Sequence, residues 1–221
     1  MKIESSIAPV TGADRGRGPA YAKALPAAGA NKLYAASRGP AKVTTPGVRQ
    51  EPAAVGWTAP DGCAVTIRPI RPTDLDLEEA FVNSLSATTG YQRLMSSRKP
   101  SLEELRQFTR IDPQRELALI ALTTVQGSER QIGVARFVLD SQTGDAEFAM
   151  VLRDDWQGRG LGAKLLGSLL AAARDFGVGR LSGVTFSTNA GMIALGRKLG
   201  FSIAADPRDA TVTNMTLGVQ A

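Results

Sequence analysis

A predicted strand that runs through a glycine-rich turn into a long amphipathic helix constrains this chain more than any other feature. Residues 150–162 read MVLRDDWQGRGLG, with glycines at positions 158, 160 and 162. Leucines then recur at helical spacing on one face, which predicts a helix from about Gly160 to Phe176. Backbone N–H groups of such a turn can converge on an anion at the helix N-terminus, where the dipole adds about half a positive charge. The junction predicts an anion site suited to a pyrophosphate; tight packing alone is the alternative explanation of the glycines.

Histidine is absent from the 221 residues, and Cys63 is the single cysteine. These two facts exclude Ser-His-Asp and Cys-His triads, His-ligated metals, a cysteine-rich zinc site and an intrachain disulfide. We therefore expect no metal cofactor. Acid–base chemistry must use a carboxylate, Tyr, Lys, Cys, water or the backbone.

The net charge of +5 is concentrated near the N-terminus. Residues 1–60 carry eight Lys and Arg against three Asp and Glu, whereas residues 61–221 carry eighteen of each. The basic residues are scattered and have few aromatic neighbours for base stacking, so nucleic-acid binding is not expected. No apolar run reaches the roughly 18–20 residues that span a bilayer, and the N-terminus lacks a signal-peptide pattern. The sequence predicts a cytoplasmic protein with no membrane partner.

Composition divides the chain into two predicted parts, residues 1–58 and 59–221. Prolines at 46, 52 and 60 with little periodicity indicate a linker over residues 45–60. Before the linker, a strand at 7–10, a glycine-rich turn at 11–18, an alanine-rich helix and a strand at 32–36 predict a short βαβ-like unit. The first part is therefore predicted to be a small Rossmann-like appendage.

Residues 5–50 resemble the N-terminus of a short-chain dehydrogenase, on the spacing T-G-x-x-x-G-x-G from Thr11 to Gly18. The resemblance does not extend beyond residue 50. None of the three tyrosines is followed by the lysine of the Tyr-x-x-x-Lys pair that such a dehydrogenase needs. An isolated βαβ unit also cannot bury both faces of its sheet. We expect a truncated, partly disordered remnant rather than a dehydrogenase; residual nucleotide binding is the alternative.

Residues 59–221 predict an α/β (α+β) domain in which a mixed, mostly antiparallel sheet carries helices on both faces. Apolar runs predict the strands, and Ser101 with Glu104 predicts a capping box for one helix. The predicted strands are 65–68, 117–123, 131–139, 146–152, 181–186, 201–204 and 211–217. The predicted helices begin near Pro72, at Ser101, near Gly160 and before Met192.

Two motifs resemble the GNAT superfamily of acyl-CoA N-acyltransferases. Gln157-x-x-Gly160-x-Gly162 is similar to the Q/R-x-x-G-x-G/A signature of that superfamily, and the segment from Asn189 to Phe201 is similar to its second motif. The predicted order of strands and helices in residues 61–221 is also that of the GNAT fold. The resemblance implies acetyl-CoA as the co-substrate, bound where two central strands splay apart.

The first half of this domain resembles the bacterial branch that acylates protein lysines. The matching residues are Val65 to Asp74, Leu85-Ser86 with Tyr91 and Arg93, and Ile111 to Ala118. This resemblance implies an N-acetyltransferase acting on a primary amine, with a protein lysine favoured over a small amine. Residues 195–198 lack the tyrosine with which many GNAT enzymes protonate the leaving thiolate. Ser187 or water could assist instead, and a non-catalytic acyl-CoA-binding regulatory module is the alternative.

The resemblance also implies roles for individual residues. Glu147 is the expected general base for direct attack; we expect it to be buried in its apolar strand, with a solvated outer-face glutamate as the alternative. The N–H of Val151 is the expected donor to the thioester carbonyl. Asn189 is expected to bond the pantetheine or adjacent backbone, with a helix N-cap as the alternative. The expected cofactor-binding residues are Met150, Val151, Leu152, Gln157, Gly158, Arg159, Gly160, Leu161, Gly162, Lys164 and Asn189.

Overall fold

The computed structural model describes residues 7–11, 32–36, 49–94 and 99–219. The chain divides into two units, residues 1–53 and 54–221. The division therefore precedes residue 55 instead of following residue 58, because residues 55–58 pair with the sheet of the second unit.

The first unit contains a parallel sheet of three strands in the order β1-β2-β3. These strands are β1 (Ile7–Thr11), β2 (Lys32–Ala36) and β3 (Arg49–Gln50). The two predicted strands are confirmed, and β3 occupies part of the predicted linker. The predicted glycine-rich turn after Thr11 and the helix that follows it lie outside the described residues.

The second unit is built on an eight-stranded sheet. Its strands are β4 (Val55–Thr58), β5 (Ala64–Pro69), β6 (Glu116–Val125), β7 (Ser128–Leu139), β8 (Ala146–Leu152), β9 (Arg180–Phe186), β10 (Ser202–Ala205) and β11 (Val212–Gly218). They lie in the order β10-β11-β9-β8-β7-β6-β5-β4. Neighbours are antiparallel except β8 and β9, which are parallel. The predicted mixed, mostly antiparallel sheet is confirmed.

Helices cover both faces of this sheet, as predicted. The α-helices of the described residues are α1 (Leu75–Ser84), α2 (Ala87–Leu94), α3 (Leu102–Thr109), α4 (Leu161–Asp175) and α5 (Ala190–Lys198). Helix α4 buries its leucine stripe in the core on one face, whereas Phe81 of α1 packs with Ile120 and Val151 on the other. Each fully buried leucine contributes about 1.5–3 kcal/mol. In the described part of the chain, no helix combines the length and apolar character needed to cross a bilayer.

Strands β8 and β9 share two residue pairs and then separate. The pairs are Ala146 with Leu181 and Glu147 with Ser182. Immediately beyond them the ring of Phe148 lies against Gly183, where an added Cβ would come within 2.6 Å of the ring. Phe148 is buried, and its ring centroid is 5.2 Å from that of Phe201. The aromatic side chain therefore fills the space beneath the separation, and the predicted splay of the central strands is confirmed.

In the second unit, one strand and one α-helix were not predicted. Residues 55–58 were assigned to the linker, yet they form the edge strand β4, in which only Trp57 is partly buried. Helix α2 reads ATTGYQRL, and its Thr and Gly residues are poor helix formers. By contrast, the predicted capping box of α3 is confirmed, since Ser101 and Glu104 bond reciprocally.

A buried ion pair fixes the connection between β5 and α1. Arg68 donates two hydrogen bonds to the Asp74 carboxylate, at 2.7 and 2.8 Å, and both side chains are almost fully buried. The backbone N–H of Arg71 adds a third hydrogen bond to the same carboxylate at 2.7 Å. Burial by itself raises the pKa of Asp74, but the hydrogen bonds from Arg68 and Arg71 outweigh it and leave the pKa below its ordinary value.

We predict that Asp74→Asn lowers the free energy of unfolding by about 3 kcal/mol, because it removes the carboxylate charge that pairs with the buried Arg68 guanidinium. The Asp74 pKa is lower in the folded state, so its contribution is present above the unfolded-state value of about 3.9 and is lost as the pH falls through the folded-state value. Urea denaturation at several pH values should show the difference from wild type shrinking below about pH 4. Asp76→Asn, at an exposed position, is the control, and its free energy of unfolding should stay within about 0.5 kcal/mol of wild type. A difference at position 74 that does not depend on pH would contradict the stabilising role of the charged Asp74 carboxylate.

Candidate active site

A cavity of about 320 Å³ occupies the gap between the separated strands β8 and β9. Its walls come from both strands, the turn after β8, and helices α2, α4 and α5. The lining residues are Thr89, Gln92, Phe148, Ala149, Met150, Val151, Leu152, Gln157, Gly158, Gly160, Gly162, Ala163, Val184, Thr185, Asn189, Gly191, Met192, Leu195 and Lys198. The two motifs identified in the sequence therefore meet at one cavity.

Hydrogen-bond alternation along β8 determines which backbone amides face this gap. The N–H of Asp140 donates to the carbonyl of Asp145 at 2.8 Å, and the N–H of Arg153 donates to the carbonyl of Ile132 at 3.0 Å. These bonds bracket a β7–β8 ladder of constant register. Bonded and non-bonded pairs alternate in such a ladder, so the odd-numbered residues of β8 bond β7 and the even-numbered residues face β9.

The predicted role of the Val151 N–H is therefore wrong. Its amide is committed to the partner strand β7, although its side chain lines the cavity. The amides of Met150 and Leu152 point into the gap instead. The sequence predicted the strand but not which of its residues form backbone hydrogen bonds with β7, because that alternation depends on the register between the two strands.

The glycines of the turn have the backbone geometry that an anion site requires. Gly158 and Gly160 adopt left-handed conformations with φ of 72° and 88°, and Gly160 is the N-cap residue of α4. A Cβ at Gly162 would lie 3.3 Å from Leu195 of α5 and narrow the cavity wall. The helix N-terminus thus presents backbone rather than side chains to the cavity, which suits an anionic group.

Most, but not all, of the predicted cofactor-binding residues line the cavity. Met150, Leu152, Gln157 and the three glycines do so, together with Asn189. Leu161 is instead fully buried in the core, and Lys164 is half-buried on α4 outside the cavity lining. The Arg159 side chain is also absent from that lining and forms an ion pair with Asp61.

Glu147 lies at the point where β8 and β9 separate, and it is exposed. The expectation that its apolar neighbours bury it is wrong, because they alternate: Ala146 and Phe148 face the core on one side while Glu147 faces the other. Glu147 shares its face with Ala149, the next residue on that side and a lining residue of the cavity. Two residues of strand separate their Cα atoms by about 7 Å.

Asn189 is the N-cap of α5 and a lining residue of the cavity at once. Its Oδ1 accepts a hydrogen bond from the N–H of Met192, and its Nδ2 donates to Oγ1 of Thr185, both at 3.1 Å. Asn189 therefore caps α5, as the alternative interpretation stated, and its hydrogen bond to Thr185 also connects the helix to β9. Both polar atoms of the side chain are engaged within the protein.

Helix α2 is docked on the turn after β8 by the carboxylate of Asp154. Asp154 accepts hydrogen bonds from the backbone N–H and hydroxyl of Ser86 and from the hydroxyl of Thr89, at 3.1, 2.8 and 2.7 Å. Burial raises the pKa of Asp154, but the hydrogen bonds from Thr89 and Ser86 outweigh it and leave the pKa below its ordinary value. The charged carboxylate therefore places Thr89 and Gln92 in the cavity wall.

The sequence did not predict these α2 residues or Thr185 as part of the site. Met192, Leu195 and Lys198 were placed in the second motif but were not predicted to line the cavity. The only signal for α2 was a serine able to cap it: the Thr89 N–H donates to Ser86 Oγ at 3.2 Å. The hydroxyl of Ser187, a predicted alternative proton source, is bonded to the carbonyl of Ala210 and contacts Thr213 Oγ1, both at 3.0 Å.

An aromatic stack crosses from α2 to β9 beside the cavity. The rings of Tyr91 and Phe186 are nearly parallel, with centroids 5.1 Å apart. Tyr91 and Val184 remain 47% and 49% exposed. Since Val184 and Phe186 alternate with Thr185 on β9, they share the face of the sheet on which Glu147 lies. The face of the sheet that carries Glu147 therefore also carries an apolar, partly solvent-accessible surface.

We predict that Asp154→Ala loosens α2 without unfolding the domain, because the helix loses three hydrogen bonds to one carboxylate. Amide hydrogen exchange over residues 87–92 should accelerate about tenfold. Asp155→Ala is the matched control, because the Asp155 carboxylate pairs with Arg153 instead. Equal exchange rates in the two variants would contradict the docking role of Asp154.

Comparison with known proteins places this geometry in a family. Residues 64–202 match the family described as "Acetyltransferase (GNAT) domain". An acetyltransferase of Pseudomonas aeruginosa is 36% identical over 154 residues, which cover 68% of this chain and 82% of that protein. The acetyltransferase Pat of Mycolicibacterium smegmatis is 30% identical over 135 residues, or 61% of this chain and 40% of Pat.

A solved structure shows the same fold. The GNAT domain of S. lividans PAT aligns with a TM-score of 0.68 at 24% identity, covering 76% of this chain and 98% of that domain. The cavity between splayed strands, the glycine turn at a helix N-terminus and the family match agree. The chain belongs to the GNAT family and is an acetyl-CoA-dependent N-acetyltransferase.

Proposed function

We propose that the protein transfers the acetyl group of acetyl-CoA to the side-chain amine of a protein lysine by direct attack. The observation that carries this proposal is the cavity in the splay of β8 and β9, which extends from the glycine turn to Ala149, the next residue after the exposed Glu147 on the same face of β8. Acetyl-CoA fits such a cavity, because its pyrophosphate needs N–H donors and its pantetheine arm needs a strand edge to pair with.

The glycine turn and the amides of β8 divide the binding of acetyl-CoA between them. In this proposal the backbone N–H groups of residues 158–162 bind the pyrophosphate. The arm then follows β8 from Leu152 towards the point where the strands meet. The thioester lies at that far end, so the N–H of Met150, rather than that of Val151, polarises its carbonyl.

Glu147 is the proposed general base. An ammonium group has no lone pair, so the acceptor must lose a proton before it attacks, and the protein has no histidine to take it. Glu147 lies on the face of β8 that carries Ala149, at the end of the cavity opposite the glycine turn. Its exposure allows proton transfer directly or through one water molecule, and the leaving thiolate takes its proton from water.

The exposed surface beside Glu147 supports a protein rather than a small amine as acceptor. Tyr91, Phe186 and Val184 form an open apolar surface on the face of the sheet that carries Glu147. A small amine gains little from such a surface, whereas a lysine on a protein brings neighbouring residues that can pack on it. The resemblance of the first half of the domain to the lysine-acylating branch points the same way.

The Rossmann-like first unit lies outside the proposed reaction. The parallel order β1-β2-β3 supports the interpretation that residues 1–53 are a βαβ-like remnant. Titration of the full chain with NAD(H) and NADP(H) tests the alternative of residual nucleotide binding. Micromolar binding would assign that unit a function of its own.

We predict that Glu147→Gln lowers kcat at least a hundredfold, since general-base catalysis contributes about 10²–10⁴. The Kd of acetyl-CoA should stay within twofold, because the carboxylate is outside the cavity lining. Steady-state kinetics with a lysine peptide and calorimetry with acetyl-CoA measure the two quantities. Glu129→Gln, an exposed glutamate on β7, is the control; equal kcat values in the two variants would refute the base assignment.

We predict that Gly160→Ala raises the Kd of acetyl-CoA about tenfold. Alanine at φ 88° costs about 1–2 kcal/mol, and the turn relieves that strain by abandoning the arrangement of amides that binds the pyrophosphate. Gly167→Ala in α4 is the matched control, because nothing lies within 4 Å of its added Cβ. Calorimetry should show unchanged affinity in the control, and unchanged affinity at position 160 would argue against the turn as the anion site.

A further inference from the structure

We propose that the hairpin of β4 and β5 is a working part of the acetyl-CoA site, with Asp61 and Trp57 as positioning residues for the glycine turn. The inference rests on the proposed binding of the pyrophosphate by residues 158–162. The family match begins at residue 64, so β4 and the bend that follows it lie outside the residues matched to the family. The hairpin nevertheless contacts two consecutive residues of the turn.

The first contact is an ion pair between the hairpin and the turn. Nη1 of Arg159 lies 2.7 Å from Oδ2 of Asp61. The other carboxylate oxygen of Asp61 accepts a hydrogen bond from the N–H of Cys63 at 3.1 Å. This backbone hydrogen bond, with a smaller contribution from Arg159, lowers the pKa of Asp61 below its ordinary value. The carboxylate is therefore charged at neutral pH and oriented by its own hairpin.

The second contact is between Trp57 and Gly160. A Cβ added to Gly160 would lie 3.7 Å from the Trp57 ring, so the ring packs on the backbone at the start of α4. Trp57 in turn packs against the main core. The hairpin thus supports the N-cap residue of the helix whose N-terminus faces the cavity.

The Arg159 guanidinium contacts the Trp156 ring and the Asp61 carboxylate, and neither of these groups lines the cavity. Its Cζ lies 5.2 Å from the ring centroid of Trp156, which is buried, while Asp61 bonds it from the hairpin. A cation in this position contributes little direct charge to a phosphate. It instead fixes the backbone between Gly158 and Gly160, whose left-handed conformations determine where the amides point. Arg159 is therefore a clamp for the turn and not a phosphate ligand.

A double-mutant cycle on the full chain tests the clamp. The variants Asp61→Asn, Arg159→Gln and their combination are titrated with acetyl-CoA by calorimetry, a readout that needs no turnover. Each single variant should raise the Kd about two- to fivefold, the range that an exposed ion pair supports. The double variant should be no weaker than the weaker single one, because both changes break the same contact. The kcat at saturating acetyl-CoA should stay within twofold.

Three further measurements and one control separate positioning from general stability. The charge-reversed pair Asp61→Arg with Arg159→Asp should recover part of the affinity that either reversal loses alone. High salt should reduce the difference between wild type and Asp61→Asn, because exposed charges are screened. Trp57→Ala should raise the Kd more than Trp57→Phe. Glu103→Gln, which breaks an exposed ion pair with Arg106 on α3, should leave the Kd unchanged.

Two outcomes would overturn the clamp. Tighter or unchanged acetyl-CoA binding by Asp61→Asn would show that the ion pair does not position the turn. Additive losses, with Arg159→Gln far weaker than Asp61→Asn, would show that Arg159 binds phosphate directly. A wrong assignment of Glu147 as the base would give a different result. In that case Glu147→Gln would keep the wild-type kcat, while the Asp61 and Arg159 variants would still bind acetyl-CoA more weakly.

Discussion

The separation of β8 and β9 after two residue pairs is the constraint on which the rest of the structure depends. It turns the amides of Met150 and Leu152 towards a gap, beyond the last residue pair that β8 forms with β9. It leaves room for a cavity between two otherwise continuous halves of one sheet. It also brings Glu147 to the end of that cavity. Phe148 stabilises this arrangement, since its ring occupies the space in which Gly183 has no side chain.

Charges on the turn after β8 are largely neutralised by protein groups. Asp154 receives its hydrogen bonds from α2, Asp155 pairs with Arg153, and Arg159 pairs with Asp61. These side chains hold the turn to the elements around it. In the proposed binding mode, recognition of the pyrophosphate therefore falls on oriented backbone amides and the dipole of α4, which need no side-chain rearrangement when the anion binds.

Sequence patterns predicted the elements with strong periodicity and failed where tertiary pairing decides. Local sequence patterns predicted the leucine stripe of α4, the capping box of Ser101 and the strands flanking the glycine turn. The edge strand β4 was not, because only Trp57 of its four residues is partly buried. The amide direction of Val151, the exposure of Glu147 and the orientation of the Arg159 side chain each depend on register or on a distant partner. Local sequence carries no signal for these.

The gap between β8 and β9 is an interior edge of the sheet. Exposed edges invite pairing with other chains, and proteins usually cover or shorten them. Here helices α2 and α5 line the two flanks, and in the proposed binding mode the pantetheine arm of acetyl-CoA pairs with the exposed edge of β8. Acetyl-CoA is then a stabilising ligand as well as a reactant: a hundredfold excess over Kd adds about 2.7 kcal/mol to the folded state.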